Sequence, residues 1–296
     1  MLTIKAASEQ TAVPVATLRA WERRYGIADP VRTENGYRLY DDRALGEIRA
    51  MQALLAAGWA PRQAADEVRR RRTTPAEALM ALIADHAGLP GPEALVEAAQ
   101  RLDEPALAGI LDEAFAKASF EHVFEAWLTP ALQLIGRAWI EGNLDISGEH
   151  LVSAAVMRRL AALYDASGAG GLGPRVLVGL ATGCEHEIPA LAFAIAARRI
   201  GMRATYLGPD LPASAWVSAT RDPSVGAVVL SVTTTRDIEA TGAVIAAMRE
   251  ARPDLQIAVG GARSDEVDGA TVRFSRGVPD AARTLATALA TPLLGR

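Results

Sequence analysis

Apolar residues change their spacing once along this chain, near residue 170. Before that point they recur every three to four positions, the period of an α-helix. After it, short apolar runs alternate with helical stretches. In the first part, Leu2-Thr3-Ile4 leads into a short helix through Ala6-Ala7. Pro14 suits the first position of a second helix, which carries Leu18, Trp21 and Glu22 to a stop at Gly26. Residues 31–40 read as a two-strand wing, because Asn35-Gly36 is a strong hairpin signal. Asp41-Asp42 caps a third helix in which Leu45, Ile48, Met51 and Leu55 share one face before Gly58. Pro61 opens a fourth that runs out into Arg69-Arg70-Arg71-Arg72.

Residues 73–167 keep the helical period almost throughout, with breaks at 88–92, at 103–105 and at Gly142-Asn143. Helices joined by such short breaks predict a bundle. Residues 168–174, with four glycines and a proline, form a flexible join. Beyond it, strands at 175–181, 203–207, 225–232 and 256–259 alternate with helices at 188–200, 213–221, 238–252 and 279–289. That alternation predicts a doubly wound parallel sheet with helices on both faces. The expected organisation is a winged helix–turn–helix over 1–72, a bundle over 73–167, a linker over 168–174 and an α/β domain over 175–296. Ligands of such sheets bind beyond the carboxyl ends of the strands, where residues 183–187, 231–235 and Gly260-Gly261 fall.

Composition refines this picture. Half of the residues are apolar and only 5% aromatic, an alanine- and leucine-rich balance that favours close helix packing. No window approaches the ~18 apolar residues of a membrane span, and no basic-then-apolar leader opens the chain. A single cysteine forms no internal disulfide. The expectation is a soluble, cytoplasmic protein without a membrane partner. The net charge of −4 conceals an asymmetry: residues 1–72 hold 13 Lys and Arg against 9 Asp and Glu, whereas the remainder is acidic. A basic segment on an acidic body points to a polyanionic partner for that segment alone.

The run TLRAWERRYGIADPVRTENGYRLYDD, from Thr17 to Asp42, resembles the signature of MerR-type regulators. These combine a recognition helix with a wing reading Gly-Tyr-Arg-x-Tyr, and the resemblance covers residues 2–70. It implies a double-stranded DNA operator. Thr17, Arg19 and Arg23 would project from the recognition helix toward the major groove. Arg32, Tyr37 and Arg38 on the wing would grip phosphates, positioning more than specifying. Leu18, Trp21 and Tyr40 are expected in the core. The resemblance also implies a homo-oligomer, dimer or tetramer.

Two of the four histidines sit in distinctive surroundings. Trp139 is followed, after nine intervening residues, by Glu149-His150, and His186 lies in GCEHEIPAL. A bundle followed by a flavodoxin-like domain resembles the cobalamin-binding pair of methionine synthase. With a MerR head in front, the chain resembles the CarH/LitR-type light-sensing repressors along nearly its whole length. The resemblance implies a corrinoid, adenosylcobalamin above all. It gives Trp139, Glu149 and His150 to a cap over the upper axial face, and His186 to cobalt as lower ligand. An imidazole ligand normally needs a carboxylate or carbonyl behind it. Glu185 and Glu187 flank the histidine for that purpose. Ser231 and Thr233 match the Ser-x-Thr element, and Gly260-Gly261 match the paired glycines that allow close approach of a ligand.

Three positions depart from the family pattern. Cys184 stands where an acid precedes the histidine by two residues, and Pro189 stands where a glycine follows by three. Ile140 occupies the place of the histidine that gives a bis-histidine adduct after light cleaves the cobalt–carbon bond, so the chain cannot form that adduct through residue 140. The expected function is a DNA-binding repressor controlled by a corrinoid, with light sensing ranked below simple cofactor sensing. One alternative is a MerR-type regulator whose sheet domain binds another tetrapyrrole, haem, or a protein partner. Another is a corrinoid methyl-carrier subunit, against which the DNA-binding head and the lack of a paired general acid and base argue.

Overall fold

The computed structural model describes residues 1–32, 38–72, 88–168, 171, 173–275 and 277–290. They form two compact units, Met1–Ala155 and Val156–Arg296.

The first unit opens with β1 (Leu2–Thr3) and α1 (Ile4–Thr11), capped where the Ala6 N–H donates to Thr3 Oγ1 at 3.3 Å. Helix α2 (Val15–Tyr25) has Pro14 at its N-cap, one residue before the position the sequence suggested, and ends at Gly26 with φ +63°. Strands β2 (Val31–Arg32) and β3 (Arg38–Tyr40) pair antiparallel, and β1 adds to the other side of β3. The predicted turn at Asn35-Gly36 lies outside the described residues. Helix α3 (Asp42–Ala56) is capped by Asp41, and α4 (Pro61–Arg72) follows. Leu18, Trp21, Tyr40, Leu45, Ile48, Met51 and Val68 are buried together, as their spacing requires. Glu47 is fully buried within this core; it accepts the Ala28 N–H at 2.8 Å and pairs with Arg43 at 3.2 Å. A carboxylate so placed is tolerable because it is paired and hydrogen-bonded.

The same unit continues through α5 (Pro92–Gln100) and α6 (Glu104–Lys117), the latter capped by Asp103. Next comes α7 (Phe120–His122), which passes through a π-helical turn, Val123–Leu128, into α8 (Thr129–Ile140). Pro130 explains the wide turn, because it lacks the N–H that an α-ladder needs there. Thr129 Oγ1 donates to the Phe124 carbonyl at 2.8 Å, and the buried Trp127 donates to the Pro90 carbonyl at 2.8 Å. Helix α9 (Ile146–Ala166) starts in this unit.

The second unit begins inside α9. Its Tyr164 hydroxyl accepts the Tyr206 N–H at 2.9 Å, and the Arg198 guanidinium lies 3.5 Å from the Tyr164 ring centroid. The sheet is parallel, with β4 (Arg175–Ala181), β5 (Arg203–Leu211), β6 (Val225–Ser231), β7 (Gln256–Gly260) and β8 (Val272–Arg273) in spatial order β5-β4-β6-β7-β8. Helices α10 (Glu187–Arg199) and α13 (Val278–Ala290) pack on each other, as do α11 (Ala213–Ala219) and α12 (Thr235–Ala251). This is the flavodoxin-like winding anticipated above. The two-residue β8 is an addition that no apolar run announced. After β4 the chain first adds β5 on one side and later β6 on the other. The topological switch point therefore lies between β4 and β6, where ligands of such folds bind.

Candidate functional site

Two surfaces carry the chemistry. In the winged head, Arg19 and Arg23 are four residues apart on α2 and exposed, with Thr17 half-buried beside them. One helix face thus offers two guanidinium groups to solvent. Arg38 is engaged differently: its Nε donates to Glu22 at 2.8 Å, tying β3 to α2. That bond, and the charge of Glu22 behind it, raise the Arg38 pKa further above its ordinary value. Tyr40, fully buried, is also raised, first by burial and then by Glu22. Arg32 lies on β2, while Tyr37 and the side chain of Arg32 are outside the described residues. Part of the basic run is structural: Arg69 donates to the Tyr25 carbonyl at 2.9 Å and pairs with Asp66, and Arg70 pairs with Glu67 at 2.6 Å.

Trp139 closes α8 and is 9% exposed. It belongs, with Ile140, to the same buried cluster as Leu18, Trp21 and Val68 of the head. The contact is tight. A Cβ at Gly46 of α3 would fall 1.7 Å from the Ile140 carbonyl oxygen. Sequence spacing gave no sign of this junction, because Gly46 sits within an ordinary helical stripe. Ten residues on, Glu149 and His150 occupy the first turns of α9, 3.6 Å apart, with His150 largely exposed.

The switch-point loops of the second unit hold the remaining candidates. His186 is the N-cap of α10 and half-buried, and Pro189 falls in the first turn, where a missing N–H costs little. Glu185 is exposed. Glu187 accepts the Tyr206 hydroxyl proton at 2.8 Å, and burial, followed by that carboxylate, pushes the Tyr206 pKa well up. The Gly183 N–H donates to Asp210 at 2.7 Å, a carboxylate from the end of β5 that spacing did not single out. Cys184 is buried, and its thiol is pushed up to about 12, first by burial and then by Asp237.

Across the switch point, Ser231 Oγ and Thr233 Oγ1 are buried and have no hydrogen-bond partner among the described residues. Leaving two hydroxyls so costs about 1–3 kcal/mol each. Gly261 adopts φ +103°, and a Cβ there would stand 2.4 Å from the Val232 carbonyl oxygen. The Gly260 Cβ would press on the Phe274 ring at 3.1 Å. Gly261 therefore lets the β7 loop close on the β6 loop, while Gly260 makes room for Phe274, and together they shape the edge from within the protein. Among the described residues no three His, Cys, Asp or Glu side chains cluster as a metal site, and no helix is long and apolar enough to cross a membrane.

Comparison with known proteins agrees with this architecture. Residues 2–70 match the MerR HTH family regulatory proteins, and residues 93–164 and 174–273 each match a B12 binding domain. The chain is 33% identical over 271 residues to the HTH-type transcriptional repressor CarH of Myxococcus xanthus, covering 88% of each chain. It is 31% identical over 265 residues to the repressor CarA of the same organism, covering 88% of this chain and 86% of that one. The monomethylamine corrinoid protein of Methanosarcina barkeri shares the fold, with a TM-score of 0.54 at 16% identity over 66% of this chain and 96% of that one. The chain belongs to the MerR-type transcriptional regulators that carry a helical and a sheet B12-binding domain behind the DNA-binding head.

Proposed function

We propose that the protein is a repressor whose grip on its operator is set by adenosylcobalamin. The observation that carries this reading is the pair of buried hydroxyls, Ser231 and Thr233, with no partner among the described residues, at the switch point opposite the His186 loop. A polar ligand seated there supplies the missing partners, and the nucleotide tail of a corrinoid has the acceptors to do so. The residues present fit the group. His186, at the start of a helix, offers one imidazole nitrogen; one protein ligand is enough, because the corrin ring brings its own four nitrogens to cobalt. When bound, the cofactor would supply a cobalt–carbon bond that light or chemistry can break. Ser231 and Thr233 would hold the tail, Glu187 would keep Tyr206 and the start of α10 in place, and Gly260-Gly261 would set the edge. In the other unit, Glu149 and His150 are the polar residues of the cap, and Trp139 its aromatic one.

Control of DNA binding follows from where Trp139 is. Its ring is part of the head's own core. Any ligand contact that draws on Trp139 therefore competes with the packing of α3 and α8, and this difference in contacts biases one state of the head over another. Because residue 140 is isoleucine, 2% exposed, the response is to cofactor occupancy rather than to an adduct at that position. Thr17, Arg19 and Arg23 read the operator, Arg32, Tyr37 and Arg38 hold its backbone, and a cytoplasmic homo-oligomer places two heads on a pseudo-palindrome. The test is a visible spectrum of protein purified with adenosylcobalamin, together with mobility shifts on its own promoter with and without cofactor, in the dark and after illumination. Co-purifying colour and cofactor-dependent DNA binding are expected. A colourless protein at saturating cofactor sinks the corrinoid reading.

A further inference from the structure

The loop carrying His186 is held on both sides by a single strand, β5. Upstream of the histidine, the Gly183 N–H donates to Asp210 Oδ1 at 2.7 Å. Downstream, the Tyr206 hydroxyl donates to Glu187 Oε2 at 2.8 Å. Both partners belong to β5, and Gly183 and Glu187 bracket His186. Asp210 reaches the loop because β5 stays beside β4 as far as the Ala181–Leu211 pairing. It does so at φ +55°, a left-handed conformation that aspartate adopts more readily than most residues, though still at a cost. The strand is itself fixed at Tyr206, whose N–H donates to the Tyr164 hydroxyl at 2.9 Å. Arg198 donates to that same hydroxyl and, through Nε, to the Ala204 carbonyl at 2.9 Å. Glu187 is the first residue of α10 and Arg198 lies in its last turn, so the helix is tied to β5 at both ends. A group that orients a ligand has to be held in this way itself.

We propose that Tyr206 and Asp210 are positioning residues of the site, bracing the His186 loop from β5 and so fixing where the imidazole is presented. They act through Glu187 and through the Gly183 amide, and touch no ligand themselves. The consequence for cobalt rests on the corrinoid reading, whereas the brace does not.

Hydrogen exchange on the full chain without cofactor tests the brace. Tyr206→Phe removes one hydroxyl and leaves the backbone bond to Tyr164 in place. Asp210→Gly removes the carboxylate and takes up φ +55° without strain. Together they should make a peptide spanning 182–190 exchange about tenfold faster, with the β6 and β7 peptides unchanged. Wild-type exchange at 182–190 overturns the brace. Asp210→Asn keeps an oxygen acceptor and tolerates the same backbone conformation, so it should fold and exchange as the wild type does. If it loosens the loop as much as Asp210→Gly, the bond to Gly183 is not what holds it. With hydroxocobalamin as probe, the double variant should bind about 10–100-fold more weakly, the usual loss for partners outside the ligand shell. After reduction, its Co(II) resonance should lose the nitrogen splitting from His186, which heavy-nitrogen labelling of histidine separates from that of the cofactor's own base. A double variant that is less stable yet keeps wild-type affinity and splitting overturns the positioning role. If the wild-type chain itself takes up no hydroxocobalamin, the corrinoid reading falls, and the exchange rates alone decide the brace.

Discussion

Trp139 and His186 come from the same family resemblance, but the fold treats them in opposite ways. Trp139 is closed into the core of the first unit, sharing it with Leu18, Trp21 and Val68. His186 stands at the start of a helix on a loop edge, opposite hydroxyls without partners. The first unit uses its candidate aromatic for its own cohesion, whereas the second leaves two hydroxyls uncommitted at a cost of about 1–3 kcal/mol each. On the proposed reading, control sits in the first unit and capture in the second. A packed residue transmits only by being displaced, and an unsatisfied one recognises by being completed.

The sharpest way to break this division is His186→Ala. Cobalamin retention should fall by more than about 100-fold, beyond the 10–100-fold usual for outer-shell partners, while DNA binding by the cofactor-free protein stays at the wild-type level in a mobility shift. Loss of both would show that the two roles are not separate. Next in size, replacing Arg19 and Arg23 together with Ala should weaken operator binding by about 2–6 kcal/mol, at roughly 1–3 per base-reading contact. Cofactor uptake, followed by absorbance, should be untouched.

Gly46→Ala probes the junction itself. With the Ile140 carbonyl 1.7 Å from the new Cβ, helix α3 or α8 must move, and overpacking of this kind costs about 1–3 kcal/mol in thermal unfolding. Gly109→Ala, in α6 with nothing within 4 Å of a Cβ, is the control and should be neutral or stabilising by up to about 1 kcal/mol. If Trp139 links cofactor to head, Gly46→Ala also blunts the effect of adenosylcobalamin on DNA affinity, and Gly109→Ala does not. The smallest effect belongs to Ser231→Ala. Removing a buried, unpartnered hydroxyl should leave the cofactor-free protein as stable or slightly more so, and weaken cobalamin binding by about 1 kcal/mol, some fivefold by titration. A variant destabilised without cofactor would show that Ser231 serves the fold rather than the ligand.

Much of the second unit was readable in advance. The strand at Arg175–Ala181 begins and ends where its apolar run does, because a strand buried on both faces has to be apolar from end to end. The helix after His186 starts one residue before the predicted position, since Pro189 fits a first turn as well as a first residue. Strand β5 runs on to Leu211, four residues beyond its apolar stretch, because pairing with β4 and not burial holds its end. The motif residues Ser231, Thr233, Gly260 and Gly261 could be named from the family resemblance. Asp210 could not, because it acts on a loop far from it in sequence, where it holds the Gly183 N–H.

What the sequence determined by itself is what short-range physics dictates. Caps at Thr3, Asp41 and Asp103, the apolar periods of helix and strand, and the motif spacings all act within a turn or two of chain. Only the tertiary structure decided that Trp139 joins the head's core, that Arg38 is tied to Glu22, that Gly46 is small because of Ile140, and that Ser231 and Thr233 are left incomplete. Those facts depend on which distant surfaces meet. Spacing along the chain sets which side chains share a face, but close packing between faces sets which of them are used up and which remain for a ligand.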